Sequence, residues 1–282
     1  MKRILVTGAK GRLGGRLVEV LSAQYSEIIG VDVDEFDVAD FDAARTFIAA
    51  AQPDLVIHAA AWTDVDGCAR EPEKAIQING FGAQNMALAA AAVNAPILYV
   101  STNEVFDGES RTPYREYDPQ RPINAYGYSK FVGERAVMTL NPRHYIVRTS
   151  WVFAHGGKNF IQTMLNAAKA GKPLRVVVDE IACPTYNNDL ADAIARLITT
   201  ERYGVYHCTN AGACSRYAFA RAILDRAGYA ETPIQPLLSH QWARPSTPPH
   251  YSPLENLAGR GLGIELRTWQ AAVDAFMKHE GL

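Results

Sequence analysis

No apolar run in this chain of 282 residues approaches the length that crosses a bilayer, and no basic stretch marks a nucleic-acid footprint. The formal charge is only −2, so neither a polyanion nor an anionic lipid surface would attract the chain strongly. Cysteine is scarce. Cys68, Cys183, Cys208 and Cys214 are scattered without metal-ligand spacing and read as free thiols of a reducing, cytoplasmic protein. No acidic cluster identifies a metal site, no repeat recurs, and no low-complexity linker divides the chain. The opening Met1-Lys2-Arg3 with its short apolar run is too brief for a signal peptide. Hydrophobic residues make up 48% and charged residues 21%, enough for a sizeable core under an ordinary soluble surface.

Ile4-Leu5-Val6 is a continuous apolar run of the kind buried on both faces of a parallel sheet. It leads into Gly8, Gly11 and Gly14, and the helical spacing of Leu13, Leu17, Val18 and Leu21 follows at once. A glycine turn between strand and helix is the context for binding a dinucleotide diphosphate at a helix N-terminus. The second strand ends at Asp32, which is placed to accept hydrogen bonds from an adenosine ribose, as NADH would require. Lys10 and Arg12 lie inside the glycine loop and would meet a 2′-phosphate. The two signals oppose each other, and the balance tips slightly to NADPH, with NADH as the alternative.

Further strands read at 54–58, 96–100, 145–148 and 174–178, alternating with helices at 41–51 and about 72–93. This predicts an α/β, Rossmann-type, doubly wound parallel sheet. His58 closes a buried strand and reads as a core histidine. Asn79, near the middle of an alanine-rich helix, reads either as exposed or as bonding backbone near the site. The dinucleotide-binding domain is expected to span 1–151 and about 174–200. Residues of about 152–173 and 201–282, rich in proline from Pro233 to Pro253, are expected to form a small C-terminal substrate-binding cap.

The most chemically suggestive stretch is Asn124-Ala125-Tyr126-Gly127-Tyr128-Ser129-Lys130. A Tyr and a Lys four apart share one helix face, whereas Tyr128 points elsewhere. An ammonium beside a phenol would favour the phenolate and ready Tyr126 as a proton relay.

With these pieces assembled, the chain resembles the extended short-chain dehydrogenase/reductase family over nearly its full length. The likeness rests on the three glycines, Ala59-Ala60-Ala61, Ser101-Thr102 and Tyr126-x-x-x-Lys130. Within that family it is most similar to the dTDP-4-dehydrorhamnose reductases, through the segments 60–66, 101–106, 148–153 and Cys183-Pro184-Thr185. The resemblance implies hydride transfer from NADPH or NADH to C4 of a dTDP-4-keto-6-deoxy sugar. It implies Tyr126 as proton donor, Lys130 as its electrostatic support and Thr102 on the keto oxygen. It also implies cofactor contacts from Gly8 to Gly14, including Leu13, from Asp40 and Phe41 near the adenine, and from Ala60, Ala61 and Trp62. Thr63, Thr102, Asn103 and Trp151 would meet the sugar, and a homodimer is compatible with the pattern. Relatives usually read Ser-Thr-Asp-Tyr where this chain has Asn103 and Glu104, which leaves the sugar's identity open. The alternatives are a nucleotide-sugar dehydratase or epimerase, or a non-catalytic regulatory subunit like that of methionine adenosyltransferase.

Overall fold

Apolar runs without alternation become strands with no exposed face. In the computed structural model, which describes residues 2–157 and 159–281, Ile4, Leu5 and Val6 are wholly buried in β1 (Arg3–Thr7). β2 (Glu27–Val31), β3 (Leu55–His58), β4 (Ile97–Thr102), β5 (His144–Thr149) and a sixth strand, Gly204–His207, complete a parallel sheet. Its order is sixth strand, β5, β4, β3, β1, β2. The chain builds outward from β1 in one direction and from β3 in the other, and the reversal opens a crevice above their carboxyl ends.

α1 (Arg12–Ser22) returns from β1 with Leu17 and Leu21 inward, and α2 (Phe41–Ala51) returns from β2 with Ala44 and Ile48 inward. The alanine-rich segment expected as one helix is interrupted. Pro72–Ala75 and Gly82–Ala92 are α-helical, and Ile76–Phe81 between them winds as a π-turn. Such a turn holds one residue more than the α-helix and frees backbone carbonyls, and it is found most often at functional sites. Asn79 sits inside it and is wholly buried.

The strand expected at 174–178 exists as Leu174–Val177 but lies outside the main sheet, paired with Ile234–Leu237. Gly204–His207 holds the sixth place instead, against β5. Periodicity finds strands but does not assign partners. Here Leu174 and Val176 pack with Phe153, Ile161, Phe219 and Phe276 in a second core, separate from the core that surrounds Ile4 and Leu98. All four cysteines are buried free thiols, and Cys183 is packed in the interior at 2% exposure. Among the described residues no helix is long and apolar enough to cross a membrane, and no cluster could hold a metal ion.

The helix Ala125–Leu140 is fixed by a charge pair inside the protein. Glu134 is fully buried and receives the Arg148 guanidinium of β5 at 2.8 Å, together with hydrogen bonds from Ser101 and Gln120. Arg148 also donates to the carbonyl of Glu116, at 3.1 Å. Removing one partner strands the other's charge. Glu134→Gln is therefore expected to cost about 3–5 kcal/mol in urea unfolding, and replacing both Glu134 and Arg148 by Met should recover most of that loss.

Candidate active site

A Cβ on Gly8 would lie 2.8 Å from the Ala60 backbone, and one on Gly14 would lie 2.0 Å from the Gly8 carbonyl. Gly8 also adopts φ +70°, so the loop tolerates only glycine at that position. Gly11 caps α1 without a side chain, and the first turn of α1 carries no acid, so its free amides face an open approach. Beside this loop lies a cavity of about 400 Å³ lined by Gly8, Asp32, Phe36, Val38, Ala60 and Trp62 among others. A backbone cradle that a methyl group would fill, beside a long mostly apolar cavity, fits an extended dinucleotide. Asp40 and Phe41 do not line it. Asp40 caps α2 by accepting the Ala43 amide at 3.0 Å, and Phe36 and Val38 take the wall position.

The π-turn aims Asn79 at the ends of two strands and a helix. Its amide donates to the Trp62 carbonyl at 3.0 Å and to the Ser129 hydroxyl at 2.9 Å, and its carbonyl receives the Trp62 N–H at 2.8 Å. The carbonyl that the π-turn frees on Asn79 accepts the Tyr99 hydroxyl at 3.0 Å. One side chain therefore ties the cavity wall at Trp62 to the helix that carries Tyr126 and Lys130. His58 is the core histidine expected: it is wholly buried, bonded to Thr7 at 2.8 Å, and pushed down to about 3 by burial and then by Lys130.

Asn124 caps the helix Ala125–Leu140 by accepting the Gly127 amide at 2.8 Å, and this starts the helix one residue before Tyr126. Tyr126 is half-buried, with the Thr102 hydroxyl in hydrogen-bonding range of its oxygen. Lys130 is only 2% exposed, and its ammonium lies 4.1 Å from the centre of the Tyr99 ring. Among the described residues no carboxylate reaches it as an ion pair, and burial draws it down to about 7, with Glu134 as the chief opposing charge. The expected lowering of the Tyr126 phenol by its lysine is not what this geometry gives. Burial raises the phenol well above its ordinary value, Glu104 adds to the rise, and Thr102 alone opposes it.

Thr102 lies at the end of β4, as expected, but Asn103 turns away to donate to Ser252 at 2.7 Å. Glu104 is raised by burial while accepting from Asn124 at 2.7 Å. Thr63 is exposed beside Trp62. Trp151 is half-buried in the left-handed region, at φ 42°, and the Arg216 guanidinium lies 3.6 Å over its ring. Among the described residues Glu180 is the one carboxylate within ion-pair distance of Arg216, at 3.6 Å, and burial pushes the guanidinium down to about 10. Sequence reasoning missed Arg216 and Glu180, since a lone arginine at a helix start gives no signal. The orphaned, buried hydroxyls of Thr149 and Ser150 at the end of β5 were missed as well.

Comparison with known proteins agrees with this geometry. Residues 1–281 match the family model described as the RmlD substrate binding domain. The spore coat polysaccharide biosynthesis protein SpsK of Bacillus subtilis is 40% identical over 99% of this chain and 98% of its own. The dTDP-4-dehydrorhamnose reductase of Mycolicibacterium smegmatis is 36% identical over 96% of this chain and 84% of its own. The crystal structure of dTDP-4-dehydrorhamnose reductase from Bacillus anthracis in complex with NADP superposes with a TM-score of 0.95 at 35% identity, covering 99% of this chain and 100% of that one.

Lys130 generates a stability prediction. Its folded value of about 7 lies below the ordinary 10.5, so between these the unfolded chain binds the extra proton and stability rises with pH. Lys130→Met removes a buried charge. In urea titrations at pH ~6 the variant should be more stable than the parent by about 1–4 kcal/mol, and the gap should narrow as pH rises toward ~9.

Proposed function

Because this chain belongs to the RmlD substrate binding domain family, we propose that it is an NADPH- or NADH-dependent reductase of a dTDP-4-keto-6-deoxy sugar. The reaction is conversion of dTDP-4-dehydrorhamnose to dTDP-L-rhamnose. The observation that supports this reading best is the Thr102 hydroxyl within range of the Tyr126 oxygen, on the helix that also carries Lys130.

The dinucleotide, when bound, supplies the hydride. Gly8, Gly11 and Gly14 and the first amides of α1, including that of Leu13, would hold its diphosphate; Asp32 would hold the adenosine ribose, and Ala60, Ala61 and Trp62 its middle. Thr102 and Tyr126 would both offer hydroxyl groups to the oxygen that gains charge as C4 is reduced. Tyr126 then gives its proton to that oxygen. A raised phenol stays protonated at working pH, so the donor is loaded before the hydride arrives. Lys130 in its charged form would bring a cation to the site from the next turn of the same helix. Trp151 with Arg216 stacked upon it would form a wall for the sugar, closed by the cap segments around Ser246 and Ser252. The buried free thiols suit a reducing, cytoplasmic setting.

Dehydration would need an acid at position 103 and a free base at position 104. Asn103 is spent on Ser252 and Glu104 is engaged by Asn124, and both observations favour reduction.

An absorbance assay at the nicotinamide band, with dTDP-4-keto-6-deoxyglucose and a 3,5-epimerase, should record stoichiometric oxidation of the cofactor. Tyr126→Phe is expected to lower kcat by a factor of ~10²–10⁴. Cofactor that binds but is never consumed would sink the reading. In the same assay kcat/KM should fall as pH rises through about 7, where Lys130 of the free enzyme loses its charge. Lys130→Arg should remove that alkaline limb, whatever its own rate.

A further inference from the structure

Beyond the ends of β4 and β5 the chain sets opposite charges within reach of each other. Thr102 and Thr149 are partners in register, so Glu104 and Trp151, each two residues further on, leave neighbouring strand ends together. Trp151 is held at φ 42°, a conformation that a bulky side chain keeps only where its surroundings impose it. Its ring lies under the Arg216 guanidinium at 3.6 Å, and the Phe160 ring lies 5.5 Å from the same group. Arg216 opens the helix Arg216–Arg226, where its backbone amide donates to the Glu180 carbonyl at 3.1 Å. Its Nε stands 3.6 Å from the Glu180 carboxylate, and the side chain is 25% exposed. Glu104 is fastened through Oε2, which accepts the Asn124 amide at 2.7 Å, and a Cβ on Gly127 would lie 2.0 Å from its backbone carbonyl. Burial raises the Glu104 carboxyl, whereas the Asn124 bond and then the charges of Arg216 and Arg244 favour its ionised form. Glu104 also acts on the Tyr126 phenol. Two anchored groups of opposite sign thus stand beside Thr102 and Tyr126, and among the described residues neither Oε1 of Glu104 nor the Arg216 guanidinium is taken up by a hydrogen bond.

We propose that Glu104 and Arg216 make this pocket specific for a sugar with two neighbouring hydroxyls beside its keto carbon, a claim that rests on the reductase reading and deepens it. Glu104, the nearer to Thr102 and Tyr126, accepts from the hydroxyl next to the ketone at C3, and Arg216 donates to the following one at C2. A hydroxyl both donates and accepts, so a vicinal pair satisfies a carboxylate and a guanidinium together. An ammonium on the sugar would be repelled by Arg216 and a carboxylate by Glu104. A sugar lacking either hydroxyl would leave a desolvated charge without its partner, which is the strongest form of discrimination a polar pocket has. Both are specificity residues: they decide which sugar is admitted and take no part in moving the hydride or the proton.

Calorimetric binding of dTDP-L-rhamnose, its 3-deoxy and 2-deoxy analogues, and dTDP alone to the full chain tests this. The complete sugar should bind about 10- to 100-fold more tightly than either deoxy sugar, the range for one hydrogen bond to a charged group. Glu104→Gln should cut the preference over the 3-deoxy sugar to about threefold or less and leave the preference over the 2-deoxy sugar within about twofold of the parent. Arg216→Gln should do the converse. Arg216→Lys keeps a cation over Trp151 but loses the planar fork, and should give the same loss as Arg216→Gln. Binding of dTDP should stay within about twofold in all three variants, which also reports that they are folded. The proposal is overturned if the parent binds the three sugars alike, or if a variant that binds dTDP keeps the parent's preferences. It is overturned as well if both arginine variants weaken dTDP as much as the sugar, since Arg216 would then be a diphosphate contact. Failure of the parent to bind dTDP or any of its sugars would overturn it together with the proposed function. Discriminating binding without oxidation of the cofactor would count against the reduction alone and support the pocket.

Discussion

A buried ammonium without a carboxylate in contact organises the centre of this protein. Lys130 is held against the Tyr99 ring, and a cation desolvated in this way is costly unless its surroundings are fixed. The fixing is visible on every side. Tyr99 is anchored through its hydroxyl to the Asn79 carbonyl, Asn79 clamps Ser129 next to Lys130, and Glu134 one turn further along supplies the opposing charge. Glu134 is itself locked to Arg148, so the electrostatics of the site depend on the innermost strands of the sheet. His58 stays neutral partly because Lys130 is charged nearby.

Much of the fold was legible because its signals are local. The run Ile4-Leu5-Val6, the glycines that follow it and the helical spacing after Gly11 each report a neighbour only a few residues away, and β1, its turn and α1 occur as read. That Thr102 ends β4 and that Tyr126 and Lys130 share one helix was legible for the same reason, since a strand end and a four-residue spacing are features of single elements. What sequence could not disclose are pairings between distant segments. The exchange of Leu174–Val177 for Gly204–His207 in the main sheet is one case. Another is Asn103, whose amide reaches a serine 149 positions later. The effect of Lys130 on Tyr126 was misjudged for a related reason: spacing supplies proximity, but burial decides the sign, and burial is a property of the assembled core.

The C-terminal segment around residues 244–256 meets the sheet side through hydrogen bonds, ion pairs and the packing of Leu254 against Val105, Phe106 and Tyr114. Arg244 meets Asp66 at 2.9 Å, Asn124 reaches the Thr247 carbonyl at 3.2 Å, and Asn103 holds Ser252. Asn103 adjoins Thr102 and Asn124 lies two residues before Tyr126, so two of these links are fixed next to those side chains. A second apolar core gathers around Phe153, Phe219 and Phe276, apart from the one around Ile4 and Leu98.

The π-turn at Ile76–Phe81 has a consequence for how the protein tolerates change in length. Its extra residue puts the helical segments before and after it out of phase by about 100° relative to an unbroken helix. Loss of any one residue from this turn would let the segment relax into ordinary winding, with every hydrogen bond of the helix intact. The amide of Asn79 would then swing off Trp62 and Ser129. A shortening that improves the local helix would thereby disconnect the cavity wall at Trp62 from the helix that carries Tyr126, and the segment is held in its less regular winding by the contacts it makes elsewhere.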